Sequence, residues 1–347
     1  INYGVSAGHI PARMTVLGDS GEFLPSGPAA SRPATSEEIA EMVALVQAGM
    51  DEGGIAVGFG WAYTPAATPD EIESIMGVAA RNGASAHIHI LGGDDPMASL
   101  QAAMDAAAAA GAALHVVHIN SSGTSTAPAM LRHIQAAVDR GADVTTEAYP
   151  YEAGMTRIES ALFDGWEQWE ESEFERHMWV ATGERLTRET FGARRAEGGE
   201  VIIFTNPPEL VQELASSPVT MIASDGFIVD GNGHPRSSGT FARVLGRYVR
   251  EAESLTLMDA IAKMTLRPAQ RLEARVPSMA DRGRLRVGAI ADVAVFDPEA
   301  IVDRATYTDP TATSEGVKHV LVAGVPVVRE GALVEDVAPG RAIRAPR

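Results

Sequence analysis

Segments typical of strands and segments typical of helices alternate along most of this sequence. Apolar runs with high strand propensity occupy residues 54–60, 85–90, 114–119, 143–149 and 219–223, and helical patterns follow most of them at steps of about 25 to 30 residues. Parallel neighbouring strands need a long crossover connection, usually a helix, so this order of segments favours parallel pairing. The pattern therefore predicts an α/β protein built from parallel βα units.

Two regions depart from this alternation. Residues 155–199 are aromatic and charged, and we interpret them as a helical insertion that either covers the mouth of a barrel or forms a plain structural helical pair. After residue 280 the pattern changes to short apolar runs separated by glycine turns. The expected organisation is a barrel domain over residues 1–280 and a small β appendage over residues 281–347.

The charge balance and hydropathy of the chain exclude several classes of protein. The 347 residues carry 28 basic and 46 acidic side chains, a formal net charge of −18, which argues against nucleic acid and anionic membranes as partners. No run of about 18 apolar residues is present, so the sequence offers no candidate membrane-spanning helix. The absence of cysteine excludes disulfides and thiolate ligands within these residues and fits a cytoplasmic protein.

Residues 224–241 contain the densest set of candidate functional side chains. Asp225 directly follows the apolar run 219–223, so we expect it where a buried strand ends, a common position for catalytic carboxylates in α/β proteins. Four glycines in the stretch suit a loop that folds back and brings His234 and Arg236 close to Asp225. Arg236 then suits bidentate binding of a substrate carboxylate. The alternative is an aspartate in a turn and an arginine in a surface ion pair.

Histidines near predicted strand ends are candidate metal ligands. His118 lies at the C-terminal end of a predicted strand, where ligands and acid–base groups lie in (β/α)8 barrels, although a satisfied core histidine is the alternative. His87 and His89 share one face of their strand, and such a pair either chelates a metal or lines the interior without one. His115 has the opposite parity to His118, so we expect it to face the helices. Tyr63 is a candidate for lining a pocket, with core packing as the alternative.

Motifs of several other enzyme classes are absent from the sequence. There is no phosphate-binding P-loop, no dinucleotide glycine fingerprint and no G-x-S-x-G nucleophile motif. The sequence instead offers imidazole and carboxylate groups, which suit Zn²⁺. Bound zinc lowers the pKa of a water molecule to about 7, and a neighbouring carboxylate can pass a proton to a leaving amine.

Several motifs resemble one branch of a known superfamily. They are Ser224-Asp225-Gly226, His234-Pro235-Arg236, Gly239-Thr240-Phe241, Lys263-Met264-Thr265 and Ala291-Asp292-Val293, with further likeness in Gly8-His9, residues 58–63 and Ala148-Tyr149-Pro150-Tyr151. Together they resemble the D-aminoacylase (N-acyl-D-amino-acid deacylase) branch of the amidohydrolase superfamily over nearly the whole chain. The Ala-Asp motif alone indicates only the superfamily, whereas His-Pro-Arg with Gly-Thr-Phe narrows the resemblance to this branch.

This resemblance implies a distorted (β/α)8 barrel, a TIM-like fold, with a small C-terminal β-sandwich and one or two zinc ions at the strand ends. It implies hydrolysis of the N-acyl amide of a carboxylate-bearing D-amino acid by a zinc-activated water. By position, the resemblance implies that Asp225 is the base for that water, the acid for the leaving amine and a residue of the metal site. It implies that His118 is a zinc ligand and that Arg236 recognises the α-carboxylate. The remaining candidate substrate-binding residues are His234, Tyr149 and Tyr63.

The sequence departs from that family at the metal centre. The family's H-x-H-x-D motif and metal-binding cysteine do not occur in these residues, and Tyr149 stands where some members have a second zinc-binding histidine. The usual His-x-Arg reads His87-Ile88-His89, so we expect His89 or Glu147, with His87 as a further candidate, to substitute as ligands. We also expect the barrel to lack its first strand or strands. Because such a barrel exposes apolar edges, we expect a longer natural polypeptide, a homo-oligomer or a second chain that completes it.

Two other functions are consistent with the residues. The first is hydrolysis of a cyclic amide, as in a dihydroorotase or hydantoinase, although those enzymes often use a carboxylated lysine and no lysine lies at a predicted strand end here. The second is a non-catalytic amidohydrolase-like subunit, which the absence of the H-x-H motif favours. The leading interpretation is a zinc-dependent hydrolase of linear N-acyl amides whose substrate is a small molecule.

Overall fold

Strands and helices alternate through most of the structure, a computed structural model that describes residues 1–91 and 93–346. The strands are β1 Tyr3–Gly4, β2 Ala7–Gly8, β3 Val57–Gly60, β4 Ser85–His89, β5 Ala113–Val116, β6 Val144–Ala148, β7 Ala153–Arg157, β8 His177–Trp179, β9 Glu184–Arg185, β10 Glu200–Phe204, β11 Thr220–Ile222, β12 Ile228–Val229, β13 Asn232–Gly233, β14 Val293–Phe296, β15 Val317–Val322, β16 Val325–Arg329, β17 Ala332–Leu333 and β18 Ala342–Ile343. The helices are α1 His9–Leu17, α2 Pro28–Ser31, α3 Ser36–Asp51, α4 Pro69–Arg81, α5 Pro96–Ala110, α6 Ile119–Gly123, α7 Ala127–Asp139, α8 Glu171–Phe174, α9 Arg188–Glu197, α10 Pro208–Ser216, α11 Arg236–Arg243, α12 Leu257–Met264 and α13 Leu266–Leu272.

A parallel sheet organises the chain, with strand order β11-β6-β5-β4-β3-β2 among the residues described. The parallel register aligns Gly60 with His89 and Ile222 with Ala148, so the C-terminal ends of these strands meet at one edge. This arrangement confirms the predicted parallel βα units and the (β/α) barrel class. Within the described residues, no strand pairing joins β2 to β11 to close the sheet.

One face of the parallel sheet is apolar and packs against helices. Side chains alternate along a strand, so Ala86 and Ile88 on β4 point to the same side, and both are fully buried. They belong to one core cluster with Met42 of α3, Ile72 of α4 and Leu100 of α5. The opposite face of β4 carries Ser85, His87 and His89 instead. Burial of the apolar face thus fixes which histidines point to the inside of the sheet.

The first turns of these helices carry side-chain caps. Thr35 caps α3 in a capping box with Glu38. Thr68 caps α4 and Asp95 caps α5, and in both helices proline occupies the first turn, where its missing N–H has no cost.

Residues 153–204 form an antiparallel sheet rather than the predicted helical insertion. Its strand order is β7-β10-β8-β9, with Val201 opposite Thr156 on one side and opposite Trp179 on the other. Short helices, α8 and α9, lie between the strands, so the helical prediction over 155–199 is correct only in part. The sheet was not predicted because its strands are short and because β7 and β8 pair with β10, which lies further along the chain.

The C-terminal region contains a small antiparallel sheet, while the domain bounds 1–280 and 281–347 stay a prediction. Strands β14, β15, β16 and β17 pair in order as an antiparallel sheet, and β18 pairs in parallel with β1, which brings Tyr3 opposite Ala342. The final residue of the predicted appendage, Arg347, lies outside the described residues. Among the residues described, no helix is both long enough and apolar enough to cross a membrane.

Candidate functional site

A cavity of about 740 Å³ opens at the C-terminal ends of the parallel strands. Most of the residues that the sequence marks for chemistry line it, namely Tyr63, His87, His89, His118, Glu147 and Asp225. They lie on five strands of the sheet, β3, β4, β5, β6 and β11, or directly after them, and converge because parallel strands end at one edge. The position of the site is therefore a direct result of the βα topology.

Asp225 follows β11 and turns into the cavity. Its backbone φ of 51° lies in the left-handed region, which a non-glycine residue adopts at a cost unless its surroundings hold it there. Its side chain is 41% exposed, yet the surrounding protein displaces much of its bulk water. That burial raises the pKa of Asp225 above its usual value, Arg236 opposes the rise, and Glu147 adds to it.

Arg236 lies directly behind Asp225 at the start of α11. One guanidinium nitrogen, Nη2, is 2.9 Å from Asp225 Oδ2, and the side chain is 1% exposed. The guanidinium also lies over the Tyr149 ring, 4.5 Å from its centroid. Its Nε and Nη1 have no hydrogen-bond partner among the described residues. Buried donors without acceptors are costly. Arg236 itself is not among the residues that line the cavity, so its contact with the cavity runs through Asp225.

His234 packs behind Arg236 and is not on the cavity surface. Its Nε2 lies 2.9 Å from the carbonyl oxygen of Ala153, and its Nδ1 accepts a hydrogen bond of 3.0 Å from the backbone N–H of Arg236. Burial holds the pKa of His234 well below its usual value. With both ring nitrogens engaged by backbone groups, the geometry does not support the expected substrate contact. It gives His234 a structural place at the start of α11.

His89 and His118 lie side by side in the cavity wall. Their ring centroids are 4.5 Å apart, and the Tyr63 ring lies 5.0 Å from that of His89. Burial lowers the pKa of His89 to about 3 and that of His118 to about 4, so both imidazoles are neutral at pH 7 and keep a lone pair for a ligand. His118 has a φ of 34°, again in the left-handed region.

His115 lies inside the sheet with His87, not against the helices as predicted. The two rings are 4.7 Å apart, and His115 Nε2 lies 3.1 Å from Glu147 Oε2 while its Nδ1 lies 2.8 Å from Thr145 Oγ1. The parity argument failed because β5 ends at Val116 and the chain then turns through His118. Strand alternation therefore does not relate His115 to His118.

Glu147 and the two tyrosines complete the predicted set. Burial raises the pKa of Glu147, but the hydrogen bond from His115 and the nearby imidazoles outweigh it, so the pKa lies below its usual value. Tyr63 borders the cavity with its hydroxyl 2.9 Å from Thr156 Oγ1, and burial raises its pKa to about 12. Tyr149 is fully buried under Arg236, so its contact is with that guanidinium.

The donors in the cavity are of the chemical type that zinc takes, but they do not form a complete ligand set. His89 and His118 are neutral imidazoles, with the carboxylate of Asp225 nearby, which fits the nitrogen and oxygen ligands of zinc sites. Among the described residues, no group of three or more His, Asp or Glu side chains is placed to hold a metal ion. The site therefore fits zinc in the nature of its donors and falls short in their number and spacing.

Other cavity residues were not singled out from the sequence. Phe163, Trp169 and His177 line the cavity from the antiparallel region, as do Arg157 and Arg176. The aromatic composition of residues 155–199 was the available signal, and it pointed to a covering role. No sequence pattern identified which of these side chains would reach the cavity.

A parallel βα sheet with imidazoles and a carboxylate at its strand ends is the architecture of metal-assisted hydrolases of the barrel type. The comparison with known families agrees, because residues 13–328 match the amidohydrolase family. The chain belongs to that family.

Within the amidohydrolase family, the chain is similar to deacylases of N-acyl-D-amino acids. The chain is 33% identical to an N-acyl-D-glutamate deacylase of Alcaligenes xylosoxydans xylosoxydans over 99% of its own length and 70% of that protein. The crystal structure of a Bordetella bronchiseptica N-acyl-D-glutamate deacylase, complexed with zinc and a phosphonate inhibitor, superposes with a TM-score of 0.83 at 29% identity, covering 99% of this chain and 72% of that one. A D-aminoacylase crystal structure gives a TM-score of 0.76 at 27% identity, covering 92% and 69% of the two chains.

Proposed function

We propose that this protein hydrolyses the amide bond of N-acyl-D-amino acids that carry a free α-carboxylate, with zinc as cofactor. Membership of the amidohydrolase family supports this proposal, as do relatives named as deacylases of such substrates. One observation in the site carries it: a buried guanidinium with unused donors, Arg236, lies 2.9 Å from a cavity-facing carboxylate, Asp225. That pair combines a group that can bind an anion with a group that can move a proton.

Asp225 carries the proton in this proposal. Its raised pKa, caused by burial, brings proton uptake and release closer to neutral pH than in an exposed aspartate. Asp225 accepts the proton that a water molecule loses as it attacks the amide carbonyl. It returns that proton to the nitrogen of the leaving amine, so that one amide and one water give one carboxylic acid and one amino acid.

Arg236 orients the substrate in this proposal. Its Nε and Nη1 lack partners among the described residues, and Arg236 lies behind Asp225 and not in the cavity lining, so a substrate carboxylate would have to move the Asp225 side chain aside to supply the missing acceptors. Stacking on Tyr149 and the backbone contact from His234 hold the guanidinium and its helix in place. This fixed geometry keeps the amide close to Asp225.

His89 and His118 are the residues we propose as zinc donors, with Asp225, Glu147 and His87 as further candidates, none of which completes a group of three among the described residues. Zinc held there would polarise the amide carbonyl and lower the pKa of water to about 7. The two imidazoles contribute by staying neutral, which burial ensures. A second copy of this chain, or another chain, is a proposed source of any further donor.

The test measures zinc content, particle mass and turnover on the same purified protein. We expect about one or two zinc ions per chain and hydrolysis of N-acetyl-D-amino acids, with the L-enantiomers and a hydantoin as comparison substrates. Turnover of the hydantoin alone would replace the proposal with cyclic-amide hydrolysis. A solution mass above that of a single chain, together with zinc, would support a shared site.

A second candidate function is a non-catalytic amidohydrolase-like subunit. The observation that favours it is the absence, among the described residues, of three grouped metal donors. Protein that binds no zinc and hydrolyses none of the three substrates would establish this candidate and reject the first.

A further inference from the structure

A buried side-chain amide follows the proposed zinc donor His118 closely in the chain. Asn120 is the second residue of α6, two residues after His118, and its side chain is fully buried. His118 and Ser121 line the cavity, whereas Asn120 is not among the described residues that do so. A buried amide needs hydrogen-bond partners, so the partners of Asn120 indicate what this side chain holds in place.

The amide of Asn120 pairs with both backbone groups of Tyr149. Its Nδ2 donates to the carbonyl oxygen of Tyr149 at 3.2 Å, and its Oδ1 accepts from the backbone N–H of Tyr149 at 3.3 Å. Strand β6 ends at Ala148, so Tyr149 is the first residue beyond that strand. Because two bonds fix orientation as well as distance, Asn120 determines where the chain carries the Tyr149 ring.

A second buried asparagine holds Asn120 itself. Asn206 Nδ2 donates to the backbone carbonyl oxygen of Asn120 at 2.9 Å, and the backbone N–H of Asn206 donates to the carbonyl oxygen of Glu152 at 3.0 Å. Asn206 follows β10 of the antiparallel sheet. Three segments therefore meet at Asn120, namely α6, residues 149–152 and the end of β10.

The ring of Tyr149 supports the guanidinium of Arg236. The ring is fully buried, and its centroid lies 4.5 Å from the guanidinium carbon. Arg236 Nη2 contacts Asp225 Oδ2 at 2.9 Å, while Nε and Nη1 have no hydrogen-bond partner among the described residues. Since two of its three nitrogens are not held by hydrogen bonds, the position of this guanidinium depends on the ring beneath it.

We propose that Asn120 is a positioning residue, which sets the place of Arg236 beside Asp225 by holding the backbone, and thus the ring, of Tyr149. The inference rests on the proposed deacylase function and adds to it a residue that does not touch the cavity. In this role Asn120 also links the chain that follows His118 to the residue beneath Arg236. The metal-donor side and the anion-binding side of the site are thereby held at a fixed separation.

Asn120→Leu removes both hydrogen bonds and keeps a side chain of similar size. We expect KM for N-acetyl-D-alanine to rise about 10-fold while kcat changes by less than about 3-fold, because the guanidinium is displaced. KM for N-acetyl-D-alaninamide, which lacks the carboxylate, stays within about 2-fold. Asn120→Ser, whose hydroxyl cannot reach both backbone groups, is the second variant if the leucine variant does not fold, and the same split between the two substrates is expected.

Asn82→Ser is the matched control. The side chain of Asn82 donates to the carbonyl oxygen of Val78 at 2.8 Å, so this substitution also removes a hydrogen bond from a half-buried amide. Asn82 lies between the end of α4 and the start of β4, at the opposite end of the parallel sheet from the cavity. We expect KM and kcat of Asn82→Ser to equal those of the wild type.

A double-mutant cycle separates positioning from a general loss of structure. In the Arg236→Ala background there is no guanidinium left to position, so adding Asn120→Leu raises KM no further. A role limited to stability would multiply the two effects instead. The same 10-fold rise in KM on both backgrounds would therefore overturn the inference.

Crystal structures of the variants test the inference independently of turnover. We expect the contact between Arg236 Nη2 and Asp225 Oδ2 to lengthen beyond about 3.5 Å in Asn120→Leu and to be kept in Asn82→Ser. An unchanged contact in Asn120→Leu overturns the inference and leaves the deacylase proposal intact. If the wild-type protein hydrolyses no N-acyl-D-amino acid but Asn120→Leu displaces Arg236, the proposed function fails and the positioning role of Asn120 stands.

Discussion

Two carboxylates face the same cavity, and their surroundings shift their pKa values in opposite directions. Asp225 lies at the end of β11 beside Arg236, and burial raises its pKa. Glu147 lies on β6 and accepts a hydrogen bond from His115, which with the other imidazoles lowers its pKa despite burial. Two carboxyl groups whose pKa values are shifted in opposite directions usually have different catalytic roles. We infer that Asp225 exchanges protons while Glu147 stays ionised as a fixed negative charge.

The largest effect on turnover is expected from Asp225→Asn. The amide keeps the shape and the left-handed backbone, which asparagine tolerates, but cannot take a proton. We expect kcat to fall by about 10²- to 10⁴-fold, the range of a general acid–base group, with zinc content largely kept. Asp230→Asn is the matched control, because Asp230 lies in the same loop with a φ of 49° and is exposed. Equal losses in the two variants would remove the special role of Asp225.

The second test concerns the guanidinium beside Asp225. If Arg236 binds the α-carboxylate, Arg236→Ala raises KM by about 100-fold while kcat changes little. The wild-type protein should show the same rise in KM with a substrate whose carboxylate is replaced by a carboxamide. The carboxamide substrate should then be insensitive to the substitution. A drop in kcat shared by both substrates would instead make Arg236 a positioning residue for Asp225.

The positions of Asp225 and Arg236 were largely predictable from the sequence. An apolar strand followed by Asp225 predicts a strand-end carboxylate, and parallel βα order brings His118 to the same edge. The glycines of the following loop allowed Arg236 to return to Asp225, which the structure confirms with a contact of 2.9 Å.

The surroundings of Glu147 were not predictable in the same way. The side to which His115 points depends on where β5 ends, at Val116, and on the left-handed turn at His118, which no residue pattern announces. The antiparallel sheet that borders the cavity pairs Val201 with Thr156, so its contacts form between distant segments. The role of His234 depends on backbone groups, and these carry no sequence signature.

The third test compares folding stability in protein treated with a chelator. The pKa of Glu147 is depressed from 4.5, so its contribution is present above that pH and is lost as pH falls through the folded-state pKa. The pKa of Asp225 is raised from 3.8, so its contribution is present below that pH and is lost as pH rises through the folded-state pKa.

At pH 7 we therefore expect Glu147→Gln to lower the free energy of unfolding by about 1 to 2 kcal/mol, the scale of a hydrogen bond to a charged group, and Asp225→Asn to leave it unchanged or raise it. Urea denaturation at pH 7 and pH 4 measures both. Shifts of the same sign at pH 7 would contradict the opposite pKa directions.

The smallest expected effect belongs to His115, which acts only through Glu147. His115→Gln removes the imidazole that lies 3.1 Å from Glu147 Oε2, and we expect kcat to fall about 3- to 10-fold because the carboxylate loses one hydrogen bond. His133→Gln, on the exposed face of α7, is the control and should be silent. The informative quantity is the acidic limb of kcat/KM, which in our proposal reports Asp225. A shift of the pH midpoint of that limb in His115→Gln would mean that Asp225 and Glu147 titrate as one coupled pair. The two carboxylates would then not have separate roles.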